Sequence, residues 1–200
     1  MTAKLPTPVT LTGRHIRLEP LERRHLAGLW DSIGHDPEVW RWVPVRVPAT
    51  EEDLGALLDV RLAEAAGGES VYFAAVDLAS GTAVGVTGYH DFSAENEYLE
   101  IGGTWYARSV WRTAVNTEAK LLLLTHAFEE LGMGRVFWKT DVLNERSRTA
   151  IRRLGAQFEG VHRRDRLRPD GTWRDSAYFA MLADEWPAAK SRLAERLARG

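Results

Sequence analysis

The sequence contains no cysteine and almost no excess of charge of either sign. Without cysteine there can be no disulfide, no thiolate nucleophile and no cysteine-bound metal, and the six histidines are scattered without metal-ligand spacing. The 28 acidic and 26 basic residues nearly cancel, so nothing favours a nucleic-acid or membrane-surface partner. We therefore expect no metal site, no nucleic acid and no membrane among its partners.

Long apolar runs are missing as well. No stretch approaches the roughly 18 uninterrupted apolar residues that a membrane-spanning helix needs. The start of the chain, MTAKLPTPVT, lacks the apolar core of a signal peptide. Because the absence of cysteine also fits a reducing compartment, these features predict a cytoplasmic protein.

The sequence does have enough apolar content for one sizeable core. It has 200 residues, of which 44% are hydrophobic, and a chain of this length favours a single domain. We expect a loosely attached N-terminal arm at 1–8, one domain at 9–187, and a C-terminal helix at 188–200 that packs on the domain or extends from it.

Changes of hydrophobic period along the chain predict a mixed α/β (α+β) fold. The predicted order is a strand at 14–20, helices at 22–33 and 51–66, strands at 71–76, 82–92 and 98–106, a helix at 115–131, a strand at 135–142, a helix at 144–154, strands at 156–163 and 174–182 around a turn at 169–171, and a helix from Pro187. Three consecutive strands with short connections imply an antiparallel meander. We expect a mixed, mostly antiparallel sheet of about seven strands with helices on both faces.

The segment 98–142 is the most informative for chemistry. A helix that starts near Val115, just beyond a strand end, leaves backbone N–H groups unpaired and points the positive end of its dipole outward, which suits a pyrophosphate. A second helix directly follows the next strand. Asn144 stands at its start, either as a simple N-cap or as a polar contact to a ligand between the two strands.

Four stretches of the sequence resemble those of a known family. They are Trp105-Tyr106, WRTAVNTEAK at 111–120, NERSRTAIRRLGA at 144–156, and RPDGTWRDSAYFAML at 168–182 followed by DEW. In these stretches and in element order the chain resembles the GNAT superfamily of N-acetyltransferases, and most closely its branch of ribosomal-protein alanine N-acetyltransferases. The resemblance covers nearly everything except the two ends, and the run that begins at Asn144 is its most specific part.

The resemblance implies an enzyme that moves an acetyl group from acetyl-CoA to a primary amine, either a protein N-terminus or a small molecule. It also implies that the strands 98–106 and 135–142 splay apart and admit the pantetheine arm. The adjacent Gly102 and Gly103 would permit a bulge that drives the splay, or they reflect close packing alone. The implied cofactor contacts come from Trp105, Tyr106, Trp111, Arg112, Thr113, Ala114, Val115, Asn116, Thr117, Asn144 and Arg148.

The phosphate-binding loop departs from the family pattern. Family members have glutamine or arginine, two variable residues, glycine, one variable residue, then glycine or alanine; here these positions are Ser109, Arg112 and Ala114. Without the middle glycine, we expect the loop to lack ready access to positive φ. The guanidinium of Arg112 could bind phosphate itself. The altered loop also motivates an alternative function, a catalytically degenerate module of the same fold that binds CoA or a partner without turnover.

The implied reaction needs a neutral amine, a polarised thioester carbonyl and a proton for the departing thiolate. By resemblance, Ser147 stands where a hydroxyl can reach the cofactor sulfur; its alternative is a first-turn serine without a role. Many family members have a tyrosine one turn further along, where this chain has Ile151. For the general base, Glu100 is the first candidate and Glu159 the second, the alternative for each being an exposed strand residue.

Two tryptophans in the proline-punctuated loop at 35–48 are candidates for the acceptor site. Trp40 and Trp42 either wall the acceptor pocket or plug the core. Exposed tryptophans would also be compatible with a homodimer. The partners that we expect are therefore a small-molecule cofactor and an amine acceptor.

Overall fold

One sheet of eight strands forms the centre of residues 2–168 and 170–199, the parts of the chain that this computed structural model describes. The strands are β1 Leu11–Thr12, β2 Ile16–Pro20, β3 Ser70–Asp77, β4 Ala83–Ser93, β5 Tyr98–Tyr106, β6 Arg135–Asp141, β7 Gln157–Leu167 and β8 Trp173–Leu182. Their order across the sheet is β1-β2-β3-β4-β5-β6-β8-β7, and only β5 and β6 are parallel neighbours. The predicted mixed, mostly antiparallel sheet is confirmed. The short β1, which pairs with β2, brings the number of strands to eight.

The helices lie close to their predicted positions, except for a short one at Pro37–Trp40 within the stretch 35–48, which the sequence predicts as a loop. They are α1 Leu26–Leu29, α2 Pro37–Trp40, α3 Glu51–Ala66, α4 Ala114–Thr125, α5 Glu145–Leu154 and α6 Trp186–Ala198, with a 3₁₀ turn at Arg23–His25 before α1 and π-helical turns at Trp30–Gly34 and His126–Glu130 after α1 and α4. The helix predicted at 22–33 is therefore a series of three short helical turns. None of the described helices combines the length and the apolar composition needed to span a membrane.

The start of α3 follows from its capping residues. The backbone N–H of Asp53 donates to the Thr50 hydroxyl at 3.1 Å, and the Asp53 carboxylate accepts from the Thr50 N–H at 3.0 Å. This reciprocal pair satisfies N–H groups that a helix start leaves free. Leu54 and Leu58, one turn apart, are fully buried and hold α3 against one face of the sheet.

The other face of the sheet is covered by α4, which positions the candidate site. Ala119 and Leu123 are fully buried in the core on this side. The buried carboxylate of Glu118 accepts hydrogen bonds of 2.7 to 2.9 Å from the backbone N–H groups of residues 14–16. These bonds fix the start of α4 to the hairpin of β1 and β2.

Both ends of the chain pack on this body. The predicted arm is not loose over its described residues, because Ala3 is buried and the Lys4 N–H donates to the Leu131 carbonyl at 2.8 Å. The helix α6 buries Trp186 and Leu193 against the same core. Met1, Pro169 and Gly200, which belong to the predicted arm, the predicted turn at 169–171 and the predicted C-terminal helix, lie outside the described residues.

Candidate active site

A cleft opens in the middle of the sheet because β5 and β6 pair only at one end. Their paired positions run from Tyr98 opposite Arg135 to Glu100 opposite Phe137, and no pairing follows among the described residues of the two strands. The predicted splay is therefore confirmed. The separated strands form the side walls of a cleft of about 1310 Å³. This volume exceeds the roughly 300–1000 Å³ of a typical small-molecule pocket, so the cleft has room for a large ligand together with a second ligand.

A β-bulge accompanies the point where the strands separate. The register between β4 and β5 shifts between Val86 and Gly88, opposite the pair Gly102 and Gly103. Gly103 has φ +59°, in the left-handed region that favours glycine, and an added Cβ there would lie 2.9 Å from the His90 ring. The two interpretations of this glycine pair therefore hold together, since the backbone forms the bulge and close neighbours leave no room for a Cβ, and both glycines line the cleft.

The start of α4 forms one end of the cleft. The Thr113 hydroxyl caps the helix by accepting from the Val115 N–H at 3.3 Å, and Asn116 and Thr117 line the cleft from the first turn. The first backbone N–H groups of a helix and its dipole favour an anion at this end.

Arg112 adopts the conformation that the missing glycine would have provided. The φ of Arg112 is +62°, in the left-handed region, and Arg112 lines the cleft. The loop therefore reaches positive φ although it has no glycine to provide ready access to it. An L-residue with a side chain holds this conformation at a cost of roughly 1–2 kcal/mol, so the loop keeps a glycine-like shape while carrying a guanidinium.

A second arginine closes the same end of the cleft. The Arg146 guanidinium, from the first turn of α5, lies 3.6 Å from the centre of the Trp111 ring, and both residues line the cleft. Burial lowers the pKa of Arg146, with Glu38 opposing the shift. Arg146 lies within the most specific stretch of the resemblance, yet nothing in its spacing marks it as a cleft residue, because the contact joins segments 35 residues apart.

The beginning of α5 forms the wall opposite α4. Asn144 is the N-cap, since its side-chain oxygen accepts from the Ser147 N–H at 3.0 Å, and it also lines the cleft, so its two interpretations hold together. Ser147 lines the cleft one turn into the helix. Arg148 points elsewhere: its guanidinium donates to the Val142 carbonyl at 3.0 Å and pairs with Glu145.

The structure brings most of the predicted cofactor residues together but leaves some outside. The predicted site residues that line the cleft are Trp105, Tyr106, Trp111, Arg112, Thr113, Asn116, Thr117, Asn144, Ser147 and Trp42. Ala114, Val115 and Arg148 do not line it, and Val115 is buried in the core. Trp40 does not line it either, because it is buried with its Nε1–H donating to the Ile33 carbonyl at 3.2 Å.

Glu100 lies at the edge of the cleft, at the last position where β5 pairs with β6. Its carboxylate forms an ion pair with Lys139 at 3.1 Å and lies beside Gly102, and these two neighbours line the cleft. Burial raises the pKa of Glu100, although the Lys139 ammonium acts in the opposite direction. A buried carboxylate with a raised pKa is a suitable proton acceptor for an amine.

Glu159, the second candidate base, lies in a different place. Its carboxylate binds both terminal nitrogens of Arg135, at 2.6 and 2.8 Å, on the rim of a separate shallow groove of about 350 Å³. The hydrogen bond from Arg135 lowers the pKa of Glu159. This pair has the geometry of a surface salt bridge, and it does not border the large cleft.

Lys120 is the functional candidate that the sequence interpretation missed. It lines the cleft from α4, is only 5% exposed, and donates from Nζ to the hydroxyls of Thr87 and Thr104, each at 2.9 Å. Burial lowers its pKa to about 7. A signal was present in the sequence, because the lysine interrupts the apolar surface of the helix beside the inward-facing Ala119.

The fold and the cleft define a class of protein with an open cleft between two separated parallel strands and the start of a helix, a shape that suits an extended anionic ligand. The sequence profile of the acetyltransferase (GNAT) domain family matches residues 15–157. The chain therefore belongs to the GNAT family of N-acetyltransferases.

Individual relatives agree with this assignment. A crystal structure of a GCN5-related N-acetyltransferase from Brucella melitensis is 30% identical, with a TM-score of 0.91, over 98% of this chain and 88% of that chain. A crystal structure from T. thermophilus, described as a "putative acetyltransferase", is 40% identical, with a TM-score of 0.86, over 96% and 98%. The "Putative ribosomal N-acetyltransferase YdaF" of Bacillus subtilis (strain 168) is 35% identical over 113 residues. That match spans 56% of this chain and 61% of the relative's length.

Proposed function

We propose that this chain transfers an acetyl group from acetyl-CoA to a primary amine by direct attack of the amine on the thioester. The observation that carries the proposal is the cleft between β5 and β6, which runs from the splay point to the start of α4. The cleft offers an elongated wall for the pantetheine arm of acetyl-CoA and an anion site at its end for the diphosphate, the two features that this cofactor requires.

The residues present fit this cofactor. The diphosphate would be held by the first backbone N–H groups of α4 and by the guanidinium of Arg112, with Arg146 and Trp111 beside them. The unpaired edges of β5 and β6 would bind the pantetheine arm. When bound, acetyl-CoA supplies an activated thioester whose carbonyl carbon accepts the amine.

Two side chains are assigned to proton transfer. Glu100 is the proposed general base, because it is buried, has a raised pKa and lies at the mouth of the splay, whereas Glu159 is engaged with Arg135 away from the cleft. Ser147 is the proposed proton donor to the departing sulfur, because it lines the cleft from the first turn of α5.

The acceptor that we favour is the N-terminal amine of a protein. The name of the Bacillus subtilis relative and the branch that the sequence resembles support this choice, and an acceptor of that kind would be met in the cytoplasm. Trp42, which lines the cleft near α2, is the proposed acceptor contact. A small-molecule amine is the remaining choice within the same chemistry.

A pair of experiments tests this function. Calorimetry with acetyl-CoA and CoA should give binding for both, and thiol release over a panel of peptide and small-molecule amines should give turnover that Ser147→Ala and Glu100→Gln reduce. Binding without turnover for any amine would support the degenerate module instead. Absence of binding would reject both cofactor-based functions.

A further inference from the structure

The ammonium of Lys120 lines the cleft and has no counterion among the described residues. No salt bridge joins it to a carboxylate within residues 2–168 and 170–199. Its two protein partners are neutral hydroxyls, and burial is the sole cause that lowers its pKa to about 7. A buried cation that lacks a carboxylate partner destabilises the fold, so its presence calls for a functional explanation.

The hydrogen-bond capacity of Lys120 is only partly used. An ammonium has three N–H donors and no acceptor. Thr87 and Thr104 accept two of them, each at 2.9 Å, and the two hydroxyls lie 2.8 Å from each other. One donor is therefore left over on a residue that borders the cleft.

The two threonines tie this donor to the splay point. Thr87 lies where the register between β4 and β5 shifts, and Thr104 directly follows the left-handed Gly103. Lys120 thus holds the bulge from the side of α4, the same helix whose start forms the anion site. Its Nζ is fixed relative to both parts of the cleft, which is the kind of preorganisation that charge stabilisation in a reaction requires.

We propose that Lys120 is a further catalytic residue, which donates its third N–H to the thioester carbonyl oxygen and stabilises the negative charge that forms there. This inference rests on the acetyl-transfer function proposed above. As the amine nitrogen bonds to the carbonyl carbon, the C=O electron pair moves to the oxygen facing Lys120. When the carbonyl re-forms, the C–S bond breaks and its electron pair stays on sulfur, which takes a proton from the Ser147 hydroxyl as solvent water returns one to that hydroxyl. The amine proton goes to Glu100, which then releases it to solvent.

The test compares the wild type with Lys120→Met, a substitution that keeps the length of the side chain and removes the charge. With acetyl-CoA labelled with ¹³C at the carbonyl carbon, isotope-edited infrared spectra should show the bound carbonyl stretch at lower frequency than in water for the wild type. The variant should lose this shift. Its kcat should fall by about 100- to 1000-fold, as for the loss of one oxyanion donor, while its Kd for CoA, which has no thioester carbonyl, stays the same.

Two further variants keep the result interpretable. Thr104→Val, which removes one of the two acceptors that hold the ammonium, should give a smaller change of the same kind. Lys190→Met, an exposed lysine on α6 paired with Glu129, should change neither the infrared band nor kcat. Thr104→Val also carries the test should Lys120→Met fail to fold.

Several outcomes would overturn the inference while leaving the proposed function intact. One is an unshifted carbonyl band in a wild type that binds and transfers acetyl groups. Another is equal weakening of CoA and acetyl-CoA in Lys120→Met at unchanged kcat, which would assign Lys120 to the pantetheine arm. A wild type that binds no acetyl-CoA would reject the proposed function and this inference together.

Discussion

Replacing Arg112 by glycine should make the protein more stable and a weaker binder of CoA at the same time. The backbone of Arg112 has φ +62°, a conformation that costs a residue with a Cβ roughly 1–2 kcal/mol and costs glycine almost nothing. Glycine also gains freedom in the unfolded chain, which offsets about 0.4–1 kcal/mol of that relief. The net gain should be about 0.5–1 kcal/mol, or a rise in Tm of roughly 1–4 °C for a domain of this size.

The same substitution removes a guanidinium from the start of α4. A hydrogen bond between charged partners contributes about 1.5–3 kcal/mol, so the Kd for CoA should rise about 10- to 150-fold. Pantetheine fragments that lack the diphosphate should bind the variant and the wild type alike. Thermal and urea unfolding give the stability arm of the test, and calorimetry gives the affinity arm.

A second arginine provides a matched control for the strain. Arg164 has φ +54° but is exposed on β7 and does not line the cleft. Arg164→Gly should therefore leave the affinity for CoA unchanged. If Arg112→Gly lowered the stability, the assignment of strain would be wrong, and if it weakened the fragments as much as CoA, the phosphate contact would be refuted.

Three other expectations address buried charges. Burial lowers the pKa of Lys120 from 10.5 to about 7, so between these pH values the unfolded chain binds a proton that the folded chain does not. Lys120→Met removes this penalty, and it should raise the unfolding free energy by a few kcal/mol more at pH 6 than above pH 10.5. Urea titrations at the two pH values would measure the difference. Glu118→Gln leaves one of the backbone N–H groups at 14–16 without its acceptor and should destabilise by about 1–3 kcal/mol in the same assay. Thiol release should fall as acidic pH protonates Glu100, and Glu100→Gln should be about 100- to 10,000-fold slower with that dependence removed; an equal loss in Glu159→Gln alone would move the base to Glu159.

The sequence predicts the elements of this fold well because their signals are local. The capping pair of Thr50 and Asp53 and the period of the strands each depend on neighbours in the chain. Whether a strand residue borders the cleft depends instead on how distant strands pair. Glu100 and Glu159 both occupy strands, but β8 lies between β6 and β7, and this non-local pairing sets Glu159 apart from the cleft.

Residues in loops and on helices show the same limit. The sequence leaves the role of Trp40 open, because the contact with the Ile33 carbonyl depends on how the segment before α2 folds back. The sequence does not indicate the backbone conformation of Arg112, since the absence of glycine normally argues against positive φ. Lys120 could have been found from its position on a buried helix, but its threonine partners come from two strands that the helix meets only in the folded sheet.

Arg112 and Lys120 share a property that bears on the choice between an enzyme and a structural or degenerate module. Arg112 lowers the stability of the fold through its backbone conformation, and Lys120 does so through a buried charge that no carboxylate pairs with in the described parts of the chain. Both residues border the same cleft. Sequence drift in a domain without activity would tend to replace them by glycine and by an apolar residue, since both changes stabilise. Unfavourable features that collect at one site are expected where function outweighs stability. A variant with both changes should therefore unfold at higher temperature than the wild type and lose acetyl transfer, and a double variant that keeps full turnover would contradict the placement of the active site.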